Sequence, residues 1–190
     1  MIEKDAEIKP EIAEEDFRMA KVVIDVPEEF VGLVDLFGEA IDSLKGIKDR
    51  SGFGKAIDYG KVEKEISSIS REIELEAHRV ILQSLDVDAP AIVIGGTRYN
   101  RIGRYQSPYH TLAGSVSIER SIYRKAGTRG GNPDARCVDP VSQRAGVIGD
   151  GWLPRTARVM SHEVQKGTSR EAVATAREYG LLPYSRSSLR

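Results

Sequence analysis

The chain has 190 residues, of which 40% are hydrophobic and 30% are charged, and its net charge is −1. This composition is typical of a globular protein of one domain or two small ones, and it excludes a disordered chain and a membrane-spanning one. The one cysteine, Cys137, excludes an internal disulfide and a cysteine-based zinc site, and an acidic N-terminus without a signal peptide leads us to expect a cytoplasmic location.

The small net charge hides a strong division between the two halves of the chain. Residues 1–89 contain 22 acidic and 12 basic residues, whereas residues 90–190 contain 7 acidic and 16 basic residues, of which 14 are arginines. Such asymmetry predicts contact with nucleic acid or a membrane surface, and arginine favours nucleic acid because its planar group binds two acceptors at once. The alternative is that the basic half neutralises the acidic half inside the fold.

Two amphipathic helices are predicted in the first half. Pro27 suits the first helical position, and Gly46 is a plausible end for the first helix. Its apolar residues recur at steps of three and four along one face: Phe30, Leu33, Phe37, Ile41 and Leu44. The second helix runs from Val62 to about Ser84 with the same periodicity. We expect an acidic helical hairpin, which packs on a core or pairs with a partner helix in a dimer.

The charge changes sign near residue 88, where we place a boundary, and β structure is predicted beyond it. Ala91–Ile94 is short, apolar and followed by two glycines, which is typical of a strand. Residues 98–111 and 115–124 flank a turn at Ala113-Gly114, which predicts a β-hairpin. We expect its exposed surface to be rich in arginine and tyrosine, with Tyr109 among the exposed residues.

The last fifty residues have the pattern of several short helices. Leu153-Pro154 opens a helix that runs to Lys166, and the spacing of Thr168 and Glu171 predicts a capping box for the next one. Ser185 is a good N-cap for a third helix. A helix, a short turn and a helix that begins with small polar and arginine side chains are typical of a helix-turn-helix unit.

Several short motifs then resemble a known family. Residues 111–123 follow the pattern T-x-x-G-x-V-x-x-x-R-x-x-Y, Asp139-Pro140-Val141 resembles a "DPV" segment, and Pro183–Ser188 resembles a "P-x-S-x-x-S/T" helix start. In this order and spacing, over about residues 100–190, the chain resembles the N-terminal, non-catalytic region of bacterial insertion-sequence transposases of the DDE type.

The resemblance implies what such chains do and what this one lacks. Members of these families continue into a ribonuclease-H-like domain, where three carboxylates hold two metal ions that activate the attacking hydroxyl. Because this sequence stops before that domain, we expect no catalytic residue, no metal site, no cofactor and no activity from the chain alone. The implied partners are double-stranded DNA at transposon ends and a second copy of the chain or a full-length transposase.

These observations combine into one prediction. We expect an α+β fold with an acidic helical region (1–88), a basic β-hairpin region (89–135) and a helix-turn-helix-like region (136–190). The expected function is DNA binding and assembly. The alternatives are a protein–protein interaction or oligomerisation module, or a non-functional remnant of a mobile element. The expected DNA-binding residues are Arg101, Arg104, Arg120, Arg124, Arg170, Ser185, Arg186, Ser187 and Arg190.

Overall fold

The computed structural model describes residues 22–52, 56–128 and 136–178. A 3₁₀ turn (Glu28–Phe30) is followed by α1 (Val31–Arg50), α2 (Tyr59–Ser84), β1 (Ala91–Ile94), β2 (Thr97–His110), β3 (Ser115–Lys125), β4 (Cys137–Val138), α3 (Pro140–Ala145), α4 (Pro154–Lys166) and α5 (Ser169–Glu178). Helices and an antiparallel sheet in one chain confirm the predicted α+β class. Among the described helices, none combines the length and apolar character needed to cross a bilayer.

Helices α1 and α2 lie antiparallel. The start of α1 lies beside the second half of α2, where Gly32 approaches Glu76. The end of α1 lies beside the first part of α2, where Arg50 Nη2 is 2.5 Å from Glu65 Oε2. The Asp58 side chain caps α2 by accepting a hydrogen bond from the backbone of Lys61. Two antiparallel helices joined by a short connection leave one side of each helix for other contacts.

Two features of α1 differ from the sequence prediction. The helix does not end at Gly46 but continues to Arg50, where its basic last turn suits the negative end of the helix dipole. The predicted apolar face is also not the buried one, because α1 buries Ala40 and Ile47 and leaves much of that face exposed. Periodicity gives the apolar positions of a helix, but here α1 carries apolar residues on two faces.

The sheet has the strand order β1-β2-β3-β4, with every pair antiparallel. The predicted strand at Ala91–Ile94 and the predicted hairpin turn are both present. Thr111 shapes that turn, because its Oγ1 accepts from the backbone N–H groups of Ala113 and Gly114. Gly114 has a φ of 143°, a backbone conformation that residues other than glycine rarely adopt. The turn chemistry therefore fixes the register of the long β2–β3 ribbon.

The end of α2 and the residues after it cover the part of the β3 edge that β4 does not pair with. Gln83 Nε2 donates to the carbonyl of Glu119 at 2.9 Å, and the Asp86 carboxylate accepts from both the backbone and the hydroxyl of Ser121. Tyr123, which is fully buried, donates its hydroxyl to the carbonyl of Ala89 at 2.9 Å. These bonds satisfy edge groups that would otherwise be left exposed for pairing with another chain.

The core joins α2, the hairpin and α3. Leu82, Tyr109, Val116, Ile118 and Val141 form one buried cluster. Tyr109 was predicted to be exposed, and this prediction is wrong: the residue is 1% exposed because its ring fills the core while its hydroxyl finds an acceptor. This core draws residues from all three predicted regions. The boundary near residue 88 stays a prediction.

Helix α4 has the bounds that the sequence predicts. Pro154 stands at the start of α4, and the capping box between the helices is confirmed: Thr168 N donates to Glu171 Oε2 at 2.7 Å, and Glu171 N donates to Thr168 Oγ1 at 3.3 Å. The hydrogen bond from the Thr168 backbone lowers the pKa of Glu171. Helix α4 contacts α5, and the predicted third helix from Ser185 lies outside the described residues.

A short segment between α3 and α4 lies along the end of β2. His110 N donates to Gly151 O at 2.7 Å, and Leu153 N donates to His110 O at 3.1 Å. Gly151 has a φ of 102°, and a Cβ there would lie 2.5 Å from the carbonyl oxygen of Pro108. This close approach places the centroid of the Trp152 ring 5.1 Å from that of the partly buried His110 imidazole.

Burial lowers the pKa of His110, and this makes the stability of the fold depend on pH. As the pH falls through the usual range of histidine, the unfolded chain takes up a proton before the folded chain does, so stability is lost until the pH is below the folded pKa. We expect His110→Gln to reduce the loss of unfolding free energy between about pH 7.5 and about pH 5.5, measured by urea denaturation. His162→Gln, at an exposed histidine, is the control, and an unchanged pH dependence in His110→Gln would contradict the assignment.

Candidate nucleic-acid interface

Two of the predicted DNA-binding arginines on the hairpin are paired with carboxylates. Arg101 pairs with Asp88, while Arg104 Nη1 lies 3.4 Å from Asp88 Oδ2 and Arg104 Nη2 lies 2.9 Å from Glu119 Oε2. All of these side chains are partly exposed, and such pairs typically stabilise a fold by about 0–1 kcal/mol. Each guanidinium would have to share or leave its carboxylate to bind a phosphate.

Arg120 belongs to a denser polar cluster below the hairpin. It pairs with Asp139, and its Nε and Nη1 atoms donate to Ser107 Oγ at 2.6 Å and Ser142 Oγ at 3.2 Å. Its guanidinium lies 5.8 Å from the centre of the Tyr109 ring, and the Tyr109 hydroxyl donates to Asp139 at 3.3 Å. With this many partners inside the protein, Arg120 holds α3 against the sheet.

A cavity of about 320 Å³ opens beside this cluster. Its lining includes Ser107, Arg120, Ser142 and Asp150. The guanidinium there is matched by the Asp139 carboxylate, and Asp150 adds a second negative charge. One positive and two negative side chains at this cavity disfavour the binding of a phosphate.

Arg124 differs from the other three hairpin arginines that are predicted to bind DNA. Its Nε is buried, and no hydrogen-bond acceptor for it is found within residues 22–52, 56–128 and 136–178. The residue stands opposite Asn100 of β2 and Cys137 of β4, near the end of the hairpin farthest from the turn. A buried donor without an acceptor is costly, so Arg124 is the hairpin arginine that still requires one.

A basic stripe runs along α4, and the sequence analysis did not name it. Arg155, Arg158, His162 and Lys166 follow each other at steps of three, four and four residues, which places them on one face of the helix. All four are exposed, whereas Thr156 and Met160 are buried on another side of the helix. The spacing of these basic residues was readable from the sequence once the helix had been predicted.

The charges of this α4 stripe are only partly neutralised. Lys166 Nζ bonds Glu163 Oε1 at 2.9 Å and lowers the pKa of that carboxyl, and the His162 ring lies 3.8 Å from the same group. Arg155 and Arg158 have no carboxylate partner among the residues that the structure describes. Two unpaired guanidiniums about one helical turn apart remain directed away from the core.

The remaining predicted residues lie at or beyond α5. Arg170 is exposed in the first turn of α5, four residues after the end of α4. Ser185, Arg186, Ser187 and Arg190 lie outside the described residues. The structure therefore separates the predicted set into paired hairpin arginines, an exposed Arg170 next to the α4 stripe, and a C-terminal group that it does not describe.

Comparison of the chain with family models, curated proteins and solved structures finds no match. Within the described ranges, no group of three or more His, Cys, Asp or Glu side chains could hold a metal ion. The function of this chain must therefore be inferred from its own residues.

Proposed function

We propose that this chain is a DNA-binding and assembly segment of a transposase-like protein. In this proposal the α4 stripe and the start of α5 contact the backbone of double-stranded DNA at transposon ends. The observation that carries the proposal is the pair of exposed guanidiniums, Arg155 and Arg158, for which the described part of the chain provides no carboxylate. The basic balance of residues 90–190 gives these groups a favourable surrounding field.

The size and chemistry of the stripe suit phosphate contacts. From Arg155 to Lys166 it extends about 16 Å along the helix axis, at about 1.5 Å per residue, which is long enough to follow several phosphates. Contacts to phosphate fix the position of a protein on DNA but do not read its sequence. Base reading is assigned in this proposal to the predicted helix from Ser185, in the helix-turn-helix-like region 136–190, with Arg186 and Arg190 as groups that bind guanine edges.

The hairpin arginines have a smaller part in this proposal than the sequence suggested. Arg101, Arg104 and Arg120 already have carboxylate partners, so each gains less from a phosphate than an unpaired guanidinium does. Arg124 keeps a role because the residue is partly exposed and has no carboxylate partner among the described residues.

A salt titration of DNA binding tests the proposed function. We expect the chain to bind a labelled duplex at low salt, with a log–log slope in salt concentration steeper than about −2, since each neutralised phosphate contributes about −0.9. Fluorescence anisotropy of a short duplex gives the affinity at each concentration. Absence of binding at about 50 mM salt, where phosphate contacts are strong, would contradict the proposal.

A protein–protein interaction module is the second candidate function. It is favoured by the exposed apolar residues of α1, because contiguous apolar surface of this kind is uncommon on a face that contacts only water. The two candidates are separated by the same measurements: an interaction module self-associates or captures a protein but shows no salt-dependent affinity for a duplex.

A further inference from the structure

One side of the sheet is covered near the hairpin turn and exposed at its far end. Near the turn, Tyr109 and Ile118 pack in the core with Val141 of α3. Farther from the turn, the same side carries an aromatic ring, an amide and two guanidiniums, all exposed or partly exposed, which are Arg98, Asn100, Tyr105 and Arg124. These four residues are named here the open face.

The strand register places the open face on one side of the sheet. Asn100 stands opposite Arg124, and Tyr105 stands opposite Arg120, which is four residues earlier in β3. A bulge in β2 between these two positions shifts the alternation of its side chains by one residue, so Tyr105 points to the same side as Asn100. The open face extends about 20 Å along the sheet at about 3.3 Å per residue, which is long enough for several nucleotides.

The Tyr105 ring lies over a glycine of its own strand. A Cβ added at Gly103 would lie 2.7 Å from the Tyr105 hydroxyl oxygen and 2.8 Å from two ring carbons, so the ring leans along β2 and covers Gly103. A glycine inside a strand often marks such a close approach. The ring is 52% exposed, and it therefore rests on the sheet with about half of its surface open to solvent.

The open face carries positive charge that its own neighbours do not neutralise. Neither Arg98 nor Arg124 has a carboxylate partner in the part of the chain that the structure describes. Arg98 Nε donates to Asn100 Oδ1 at 3.3 Å, which holds the side chain along the sheet. On this side of the sheet the Asp139 carboxylate is already paired with Arg120, toward the turn.

We propose that the open face binds single-stranded DNA, with a base stacked on Tyr105 and phosphates bound by Arg98 and Arg124. This inference rests on the proposed function, which makes DNA the partner. Unpaired guanidiniums complement phosphates, and an exposed aromatic ring beside them provides a surface on which an unpaired base stacks. A duplex offers phosphates but keeps its bases stacked on each other, and an acidic polypeptide offers charge without a base. The combination of ring and guanidiniums therefore selects a single strand.

Fluorescence anisotropy of a labelled oligothymidine of about 12 nucleotides tests the stacking on Tyr105. We expect Tyr105→Ala to weaken the binding about tenfold, because the base loses its stacking partner, and Tyr105→Phe to preserve it, because the ring remains. Tyr59→Ala is the matched control, since Tyr59 is 64% exposed at the start of α2, and it should leave the affinity unchanged. Absence of single-strand binding, or equal affinities of Tyr105→Ala and the natural chain, would overturn the proposal.

Gly103→Ala tests the position of the ring without removing any group that contacts DNA. The φ of Gly103 is not positive, so alanine fits the backbone, and its Cβ displaces the far end of the Tyr105 side chain. We expect this variant to bind the oligothymidine severalfold more weakly than the natural chain. An unchanged affinity would show that the position of the ring on the sheet does not matter and would contradict the stacking.

The probe itself separates a stacked base from a phosphate contact. An abasic oligonucleotide of the same length keeps every phosphate, and we expect it to bind about tenfold more weakly than the oligothymidine, with no further loss in Tyr105→Ala. Equal binding of the two probes would overturn the proposal. Tighter binding of an oligouridine would assign the open face to RNA and would also overturn it.

The arginines are tested by the dependence of this affinity on salt. Arg98→Ala/Arg124→Ala is expected to make the log–log slope less steep by about 1.4, since each phosphate of a single strand contributes about 0.7. Arg101→Ala/Arg104→Ala removes the same charge from the opposite side of the sheet, where both guanidiniums pair with Asp88, and it should leave the slope unchanged. Equal changes in the two variants would show that the open face is not the site.

The same variants, measured with a duplex, separate this inference from the proposed function. Tyr105 lies outside α4 and α5, so Tyr105→Ala should keep its affinity for the duplex while it loses affinity for the single strand. Loss of both affinities in this variant would contradict a stacking role. Absence of duplex binding with an intact, Tyr105-dependent binding of the single strand would contradict the α4 contact and leave the open face standing.

Discussion

Asp139→Ala is expected to lower the free energy of unfolding by about 1–3 kcal/mol, which is less than the loss of one partner costs in a fully buried ion pair, because the pair with Arg120 is only partly buried. Asp139 is 13% exposed; it pairs with Arg120, accepts from the Tyr109 hydroxyl and caps α3 through the backbone of Ser142. Its loss leaves the guanidinium without a counter-charge beside the core and removes a helix cap. Urea denaturation followed by circular dichroism measures the change.

The matched control is Asp88→Ala, which removes a carboxylate from an exposed pair on the same hairpin. Asp88 is 58% exposed, and we expect its loss to change the unfolding free energy by no more than about 1 kcal/mol. Asp139→Asn keeps the side-chain acceptor that caps α3, so its effect is expected to lie between the two alanine variants. A loss below about 1 kcal/mol in Asp139→Ala would contradict the role assigned to the pair.

The ion pairs of the hairpin partly decide whether the basic half of the chain binds nucleic acid or neutralises the acidic half. Arg101 and Arg104 bond Asp88, which precedes the predicted boundary, so part of the basic half does neutralise the acidic half within the fold. Arg155 and Arg158 take no part in this within the described residues. Net charge by halves therefore predicts that a basic surface is available, but not which arginines form it.

The local elements were the part of the fold that the sequence predicted best. The bounds of α4 and the capping box at Thr168 depend on residues a few positions apart, whose chemistry acts before any tertiary contact forms. Which face of α1 is buried could not be predicted, because helical periodicity shows apolar positions without showing which neighbour covers them. The burial of Tyr109 was missed for the same reason, since its acceptor Asp139 lies 30 residues away.

The residues of the candidate site also fall into a group that local sequence predicts and a group that only the fold brings together. The ion pairs of Arg101, Arg104 and Arg120 join residues 13 to 19 positions apart, and only the fold brings them together. The basic stripe of α4, by contrast, is local, because basic residues at steps of three and four on a predicted helix share one face. Reading each predicted helix for charge as well as for apolar residues would have found Arg155 and Arg158.

Arg155→Ala/Arg158→Ala is expected to weaken duplex binding about fiftyfold at roughly 0.1 M salt and to make the log–log slope less steep by about 1.8, since each lost phosphate contact removes about 0.9. The variant should keep its unfolding free energy, because neither side chain has a carboxylate partner among the described residues. Lys61→Ala/Lys64→Ala removes the same charge at the same spacing from exposed positions on α2. It should leave the affinity for the duplex and the log–log slope unchanged. Equal losses in the two variants would show that net charge alone governs binding, and an unchanged slope in the arginine variant would place the DNA contact elsewhere. A slope that falls only in the arginine variant is the result that only a phosphate contact at α4 produces.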